Sequence, residues 1–381
     1  MGARPRLIDS LQREYTLRSS KRRLVWLVAL LAAVGLVAGA CGSDSDSTDT
    51  TDTTASGATG GSVDYEALSG SISGSGATFP SAFYEEAIGA FQDVSELEVL
   101  YDAVGSGTGK TNLADGVTVW AGSDSLVSDS DKGKFPREFL YFPTVAAPIT
   151  VSYNLSGVDE LNLSAETVAG IFMGDITVWN APEIAADNPD ADLPATAITV
   201  AVRSDGSGTT TNFSKYLKAA APDVFTLESS DTVAWPKAQA GNGNSGVAQI
   251  VNDTPGAIGY VDLSDANATG LSYANIKNKD GEFVAPTLDG ATAALEGAEV
   301  KADLTYNPLN AAGAEAYPIT APTYVIVYVS YSDQATVDNI KGWLTYLLTD
   351  AQDLAADVDF AKLPSTLQEK AEAQIEKITV G

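Results

Sequence analysis

The segment VGSGTGKT (104–111) follows directly on ELEVLYDAV (96–104), a stretch whose apolar residues predict a strand. The same GSG triplet occurs in GSGATFP (74–80) and in DGSGTTTNF (205–213). In each place a strand-like segment ends at the triplet and a helix-like segment begins after it. Strands that alternate with helices are typical of the α/β class, and we expect an α/β fold with mixed sheets.

The remaining periodicity extends this pattern along the chain. It predicts strands at 116–124, 148–155, 197–203 and 323–330, and helices at 80–92, 164–173, 209–220, 335–349 and 365–378. Ser365 and Gln368 have the spacing of a capping box, which predicts that the last helix begins at Ser365 with its side chain as the cap.

Two segments of similar composition, FPTVAAP (142–148) and YPITAPT (317–323), contain two prolines each. They are candidate crossings between two domains. If the chain leaves the first domain at one segment and returns at the other, lobe I comprises 63–146 with 319–381. Lobe II then comprises 147–318. Two ordinary surface loops are the alternative interpretation.

Strand–glycine–helix junctions are suited to binding anions. Glycine lets the backbone approach a ligand closely, and a helix N-terminus presents unpaired N–H groups with partial positive charge. Three such junctions around one cleft could surround a small tetrahedral anion, whereas each alone is equally consistent with a simple turn. A nucleotide-binding P-loop ending at Gly109-Lys110-Thr111 is excluded, because Val104 stands where that motif requires a small residue.

Three charged residues complete the candidate site. Arg203 lies at a predicted strand end, where its planar guanidinium could bind an oxyanion through two hydrogen bonds, and Asp205 could hold it in place. Asp124 would repel most anions. Phosphate near neutral pH still carries a proton that it can donate to a carboxylate, whereas sulfate has none, so Asp124 could select phosphate. The alternatives are a surface salt bridge and a turn-capping aspartate.

The composition excludes several classes of function. The chain has no histidine and one cysteine, Cys41, which excludes histidine-dependent catalysis, histidine-ligated zinc and an intramolecular disulfide. The formal net charge of −28 disfavours nucleic acid as a partner. We therefore expect a binding protein, with no enzyme activity, cofactor or metal.

The N-terminus has the pattern of an export signal. Lys21-Arg22-Arg23 precede an apolar run that ends in Ala38-Gly39-Ala40, directly before Cys41. This order predicts a signal peptide over 1–40, and a lipid on Cys41, with an uncleaved anchor as the alternative. Export through the general or the twin-arginine route stays open. The acidic, Ser/Thr-rich stretch 41–62 predicts a disordered linker.

Several motifs together resemble the PstS family, the phosphate-binding lipoproteins of bacterial ABC transporters. They are GSGATFP, GSGTG followed by WAGSD, FPTVAAPITVSYNL, IFMGDITVWN, VAVRSDGSGTTTNF and GNGNSGVAQIVNDTPGAIGYV, and they span about Ile72 to Ile378. The resemblance implies that phosphate is bound by Thr78, the backbone N–H of Phe79, Ser106, Asp124, Arg203, Ser207, Gly208 and Thr209, with Asp205 positioning Arg203. Ser75 would be a turn residue only.

The resemblance also implies a fold and a role. The fold is a type II periplasmic-binding-protein clamshell of two lobes with a hinge of two crossings. The role is to bind inorganic phosphate at the outer face of the cytoplasmic membrane, as a lipid-anchored monomer, and to deliver it to permease subunits. A surface phosphate sensor or scavenger and a secreted phosphatase are the alternatives. Lys110 and Gly122 depart from the family pattern, and Lys110 could point away from the ligand or add affinity.

Overall fold

One 15-residue strand, Phe139–Tyr153, lies in the middle of a nine-stranded mixed sheet. The structure is a computed structural model and describes residues 63–381. The predictions for the signal peptide (1–40), for Cys41 and for the linker (41–62) lie outside these residues. The α/β class with mixed sheets is confirmed by the alternation of strands and helices along the described chain.

In chain order the strands are β1 Ser71–Gly76, β2 Glu98–Ala103, β3 Trp120–Ser123, β4 Phe139–Tyr153, β5 Asn162–Leu163, β6 Thr199–Arg203, β7 Gln239–Gly241, β8 Ala257–Asp262, β9 Ser272–Tyr273, β10 Asn275–Lys277, β11 Phe283–Val284, β12 Thr320–Tyr328, β13 Ser330–Tyr331 and β14 Thr379–Val380. The α-helices are α1 Ser81–Phe91, α2 Ser106–Ala114, α3 Ala165–Met173, α4 Pro182–Asp187, α5 Gly208–Ala220, α6 Gly243–Asp253, α7 Leu263–Thr269, α8 Leu288–Glu296, α9 Gln334–Leu348 and α10 Ser365–Gln374.

Strand β4 changes partner along its length. Its first part, up to Pro148, pairs with β12, and its last part, from Ile149 onward, pairs with β8. The strand order is β2-β1-β3-β12-β4-β8-β6-β7, with β9 also on β4. We call β2, β1, β3, β12 and the start of β4 the first half-sheet. The end of β4 with β8, β9, β6 and β7 is the second half-sheet.

The two proline-containing segments are not ordinary surface loops. Residues 142–148 lie inside β4, and the second segment enters β12 at Thr320. Thr320 pairs with Pro148 and Pro322 with Ala146, so the two segments run side by side in antiparallel directions, and β12 is buried throughout. Burial on both faces explains why both strands read as continuous apolar runs. The assignment of lobes I and II stays a prediction.

Several predicted boundaries are corrected by the structure. Helix α10 begins with Ser365 already inside it and Pro364 before it, so the predicted capping box is wrong, and the side chain of Gln368 bonds Glu372 instead. The helix also ends at Gln374, ahead of a 3-10 turn, rather than at 378. The strand predicted over 116–124 is limited to β3, because residues 115–117 form the turn that ends α2.

The first GSG triplet has a packing role that the sequence pattern did not reveal. Its residues belong to β1, and a Cβ on Gly74 would lie 2.0 Å from the buried ring of Trp120. Gly76 has φ +152°, and a Cβ there would lie 1.9 Å from the carbonyl oxygen of Gly122. Ser75 is therefore a buried strand residue that accepts a hydrogen bond from Asn112, and the prediction of a turn residue is wrong.

Candidate functional site

All three glycine-containing junctions lie close to one another in the fold. Thr78 follows β1, Ser106 begins α2, and Gly208 begins α5, a helix that packs on β8 of the second half-sheet. The backbone N–H of Gly107 donates to the carbonyl oxygen of Gly206 at 2.8 Å, which joins the second junction to the third. The hydroxyl of Thr78 accepts from the backbone N–H of Asn244 at 3.2 Å, which joins the first junction to helix α6.

Asp124, at the end of β3, lies at the same place. Its backbone N–H donates to the hydroxyl of Ser106 at 3.3 Å, and its carbonyl oxygen accepts from the side chain of Asn212 in α5 at 2.7 Å. A Cβ on Gly208 would lie 2.6 Å from the Ser106 hydroxyl and 2.8 Å from the Asp124 Cβ. Residues from both half-sheets are therefore in van der Waals contact here, and only glycine fits at position 208.

Arg203 is buried and held on two sides. Its guanidinium bonds Asp205 through two N–H groups, Nε to Oδ1 at 2.9 Å and Nη2 to Oδ2, and Nη1 bonds the side-chain oxygen of Asn244 at 2.7 Å. A guanidinium has five N–H donors. Three are used within residues 63–381, so two remain for a ligand, one on each terminal nitrogen.

The carboxylate of Asp205 stays ionised beside this arginine. Burial acts to raise its pKa, but the hydrogen bonds and positive charge of Arg203, with the backbone N–H of Gly243, hold the pKa below its ordinary value. The predicted positioning of Arg203 by Asp205 agrees with this geometry.

The start of α5 presents donors without partners. The hydroxyl of Thr209 is fully buried and makes no hydrogen bond within the described part of the chain. The oxygen of Ser207 caps the helix by accepting from the backbone N–H of Thr210 at 3.1 Å, which leaves the Ser207 hydroxyl proton free to donate. The first backbone N–H groups of a helix also lack acceptors within the helix. Buried donors of this kind are costly unless a ligand accepts from them.

Phe79 contributes differently. Its ring is buried and packs edge-on against Phe360 at 5.7 Å between ring centroids, so the side chain belongs to the core. The backbone N–H of Phe79 makes no hydrogen bond to any other residue between 63 and 381. It is therefore available as a donor, as the sequence resemblance implies.

The carboxyl group of Asp124 is deeply buried, and burial raises its pKa to about 7. The hydroxyl of Thr323, which donates to Asp124 Oδ1 at 2.8 Å, and the charges of Arg203 and Lys110 act in the opposite direction. The register of β12 against β4 shifts at Thr323: Pro322 pairs with Ala146 and Tyr324 with Pro143, so the extra residue lies in β4. On its other side β12 pairs with β3, with Tyr324 opposite Ser123, and this register brings the neighbouring residues Thr323 and Asp124 together.

Comparison with known proteins places this chain in a family. Residues 47–351 match the model described as the PBP superfamily domain. The phosphate-binding protein PstS of Haemophilus influenzae is 31% identical over 314 residues, which cover 81% of this chain and 93% of that protein. PstS 2 of Mycobacterium tuberculosis is 33% identical over 295 residues, covering 73% and 79% respectively. The chain belongs to the PstS family.

Solved structures support the same fold. A phosphate-binding protein from Stenotrophomonas maltophilia has a TM-score of 0.66 at 21% identity, covering 80% of this chain and 94% of that one. An ABC-type phosphate transport receptor from Vibrio cholerae has a TM-score of 0.52 at 21% identity, covering 77% and 100%. The fold of this PstS-family chain is therefore that of periplasmic phosphate-binding proteins.

The two departures from the PstS pattern have structural explanations. The ammonium group of Lys110 donates hydrogen bonds to Asp231, Ser125 and the carbonyl oxygen of Leu126, so all of its acceptors are groups of the protein itself. A Cβ on Gly122 would lie 2.4 Å from the hydroxyl of Tyr101, which explains why alanine does not fit at Gly122.

The sequence reasoning missed two residues of this PstS-family site, Asn244 and Thr323. Asn244 is buried and connects Thr78, Arg203 and the buried carboxylate of Asp262, to which it donates at 2.7 Å. Its signal was the GNGNSG motif, whose glycines indicate a tight approach of the backbone. Thr323 had a weaker signal, Pro322 inside a strand, since proline in a strand interior often marks a bulge.

Within residues 63–381 no cluster of three or more acidic or cysteine side chains is arranged to hold a metal ion. No helix in the same range is both long and apolar enough to span a bilayer.

Proposed function

We propose that this chain binds inorganic phosphate outside the cytoplasmic membrane and delivers it to the permease of an ABC transporter. The observation that carries the proposal is a set of buried donors beside a single buried acceptor. The donors are the two remaining N–H groups of Arg203, the hydroxyl of Thr209 and the N–H groups at the start of α5. The acceptor is Asp124. The names of the relatives, phosphate-binding proteins and phosphate transport receptors, support the same ligand.

The site residues proposed to bind phosphate are those that the sequence indicated: Thr78, Phe79, Ser106, Asp124, Arg203, Ser207, Gly208 and Thr209. Asn244 and Asp205 fix the guanidinium of Arg203, and Thr323 fixes the carboxylate of Asp124. Monohydrogen phosphate offers many acceptor lone pairs and one O–H donor, which matches many donors and one acceptor. Fully ionised sulfate would leave the Asp124 carboxylate facing an anion without a proton between them.

Closure around the anion is proposed to bring lobe I (63–146 with 319–381) and lobe II (147–318) together. The contacts between Gly107 and Gly206 and between Asp124 and Asn212 join segments of these two lobes. The adjacent crossings in β4 and β12 would form the hinge. In a closed site with little water, charge-assisted hydrogen bonds give micromolar affinity or better, which corresponds to about 8 kcal/mol.

The proposed role is that of a receptor and not of an enzyme, acting as a monomer anchored through a lipid on Cys41. The relatives are named as binding proteins and receptors, which supports this role. A surface sensor or scavenger would bind phosphate equally well but would not supply a permease. Phosphate uptake by cells with and without the permease genes distinguishes the two roles.

Titration calorimetry of the purified protein with phosphate, sulfate, arsenate and molybdate tests the proposal. We expect tight phosphate binding and no measurable sulfate binding at about pH 8, where the carboxyl group of Asp124 is mainly ionised. Asp124→Asn should weaken phosphate binding or admit sulfate, whereas Asp129→Asn, at an exposed aspartate paired with Lys132, is the matched control. A protein that binds no phosphate, or that hydrolyses a phosphate ester, would contradict the proposal.

A further inference from the structure

Lys110 and Asp231 form an ion pair across the boundary between the two half-sheets. Lys110 belongs to α2, which packs on β1 and β3 of the first half-sheet. Asp231 lies in the segment between α5 and β7 of the second half-sheet. The nitrogen of Lys110 is 2.8 Å from Asp231 Oδ2, and the exposed fractions of the two side chains are only 12% and 23%. This pair is therefore shielded from solvent much more than a typical surface salt bridge.

Every donor of the Lys110 ammonium has a protein acceptor. An ammonium group has three N–H donors, and these bond Asp231 at 2.8 Å, the Ser125 hydroxyl at 2.8 Å and the Leu126 carbonyl oxygen at 3.4 Å. No donor remains for a bound anion. Lys110 therefore cannot contribute to the site as a direct ligand in this geometry, and its hydrogen bond across the boundary goes to Asp231.

Asp231 is in turn connected to the start of α5. Its carbonyl oxygen accepts from the backbone N–H of Ser207 at 2.9 Å, and its second carboxylate oxygen accepts from the hydroxyl of Thr211. Both Ser207 and Thr211 flank the donors at Gly208 and Thr209. The hydrogen bond from Gly107 to Gly206 joins the same two segments beside the ion pair.

We propose that Lys110 and Asp231 act as a clasp that holds the α5 donors against the first half-sheet and slows the release of the bound anion. This role rests on the proposed phosphate binding. Lys110 and Asp231 are positioning residues, because they act through Ser207 and Thr211 and do not touch the ligand. Because the pair must break before the two half-sheets separate and release the anion, its loss should change the dissociation rate much more than the association rate.

The test is stopped-flow phosphate binding by the full chain and by Lys110→Met, Asp231→Asn and the double variant. We expect about tenfold faster dissociation in each single variant, nearly unchanged association, and a double variant no worse than the singles, because one interaction is removed in all three. Lys110→Arg should largely restore slow release. Lys134→Met removes the exposed ion pair between Lys134 and Asp131 and is the matched control.

Hydrogen exchange provides a second readout that does not require phosphate. Loss of the clasp should speed exchange of the Ser207 amide, which is bonded to Asp231, in Lys110→Met but not in Lys134→Met. Wild-type dissociation rates together with unchanged Ser207 exchange would overturn the clasp. A wild-type chain that binds no phosphate would instead refute the proposed function, and the exchange measurement alone would then decide on the clasp.

Discussion

Replacement of Gly208 by alanine tests the contact between the two half-sheets at the proposed site. A Cβ at this position would lie 2.6 Å from the Ser106 hydroxyl, 2.8 Å from the Asp124 Cβ and 2.8 Å from the Ser125 backbone nitrogen. Favourable contacts between heavy atoms lie at about 3.5–4.0 Å. The methyl group would therefore force the surrounding atoms back by about 1 Å.

The three atoms that the methyl group would meet belong to Ser106, which begins α2, and to the residues that follow β3, so they all lie with the first half-sheet. Gly208 begins α5, which packs on the second half-sheet. The strain should therefore fall on the approach of the two sides and not on the folding of either. Gly208 is not among the glycines with positive φ, so alanine is compatible with its backbone. Overpacking typically costs about 1–3 kcal/mol. That range corresponds to a loss of phosphate affinity of roughly 5- to 150-fold.

Titration calorimetry with phosphate measures this loss, and thermal denaturation without phosphate measures stability. Gly89→Ala is the matched control, since Gly89 lies in α1 and a Cβ there meets nothing within 4 Å. We expect weak phosphate binding for Gly208→Ala and wild-type binding for Gly89→Ala. Wild-type affinity in Gly208→Ala would refute the argument that the two sides meet at this glycine when the anion is bound.

Three further predictions concern the polar groups of the site. Arg203→Lys keeps the charge but loses the planar fork that bonds Asp205 and Asn244, so calorimetry should show at least about tenfold weaker phosphate binding; equal affinity would mean that charge alone suffices. Asn244→Ala leaves buried Asp262 without that donor, and thermal denaturation should show a loss of about 1–3 kcal/mol of stability, which an unchanged melting temperature would contradict. Because burial raises the pKa of Asp124 to about 7, its carboxyl is mainly protonated below that pH and can donate to an anion. Sulfate affinity measured by calorimetry should therefore rise between about pH 8 and about pH 5 in the wild type and stay flat in Asp124→Asn.

The sequence predicted the strand–helix junctions well because glycine, serine and threonine mark them locally. The positions of α1, α3, α5 and β6 follow from periodicity and from such junctions within about one or two residues. The capping box at Ser365 failed because Pro364 already ends the preceding extended segment, and the helix can start directly after it.

The residues that sequence reasoning missed act through contacts distant in the chain. Thr323 reaches Asp124 only because β12 lies beside β3, with Tyr324 opposite Ser123. The orientation of the Lys110 side chain could not be predicted for the same reason, since its acceptor Asp231 is 121 positions away in the chain. Local pattern carries no information on which strands become neighbours, so these pairs required the three-dimensional structure.

Strand β4 has a practical consequence for anyone who wishes to turn this protein into a split reporter. Cutting the chain near Pro148 would not release two self-sufficient fragments, because β12 would lie in the C-terminal fragment while both of its partners, β3 and the first part of β4, would lie in the N-terminal fragment. Each fragment would expose a row of unsatisfied backbone groups and be prone to aggregate. Fluorophores or inserted domains are better placed at exposed turns such as the one at Gly157, where a Cβ meets no neighbour.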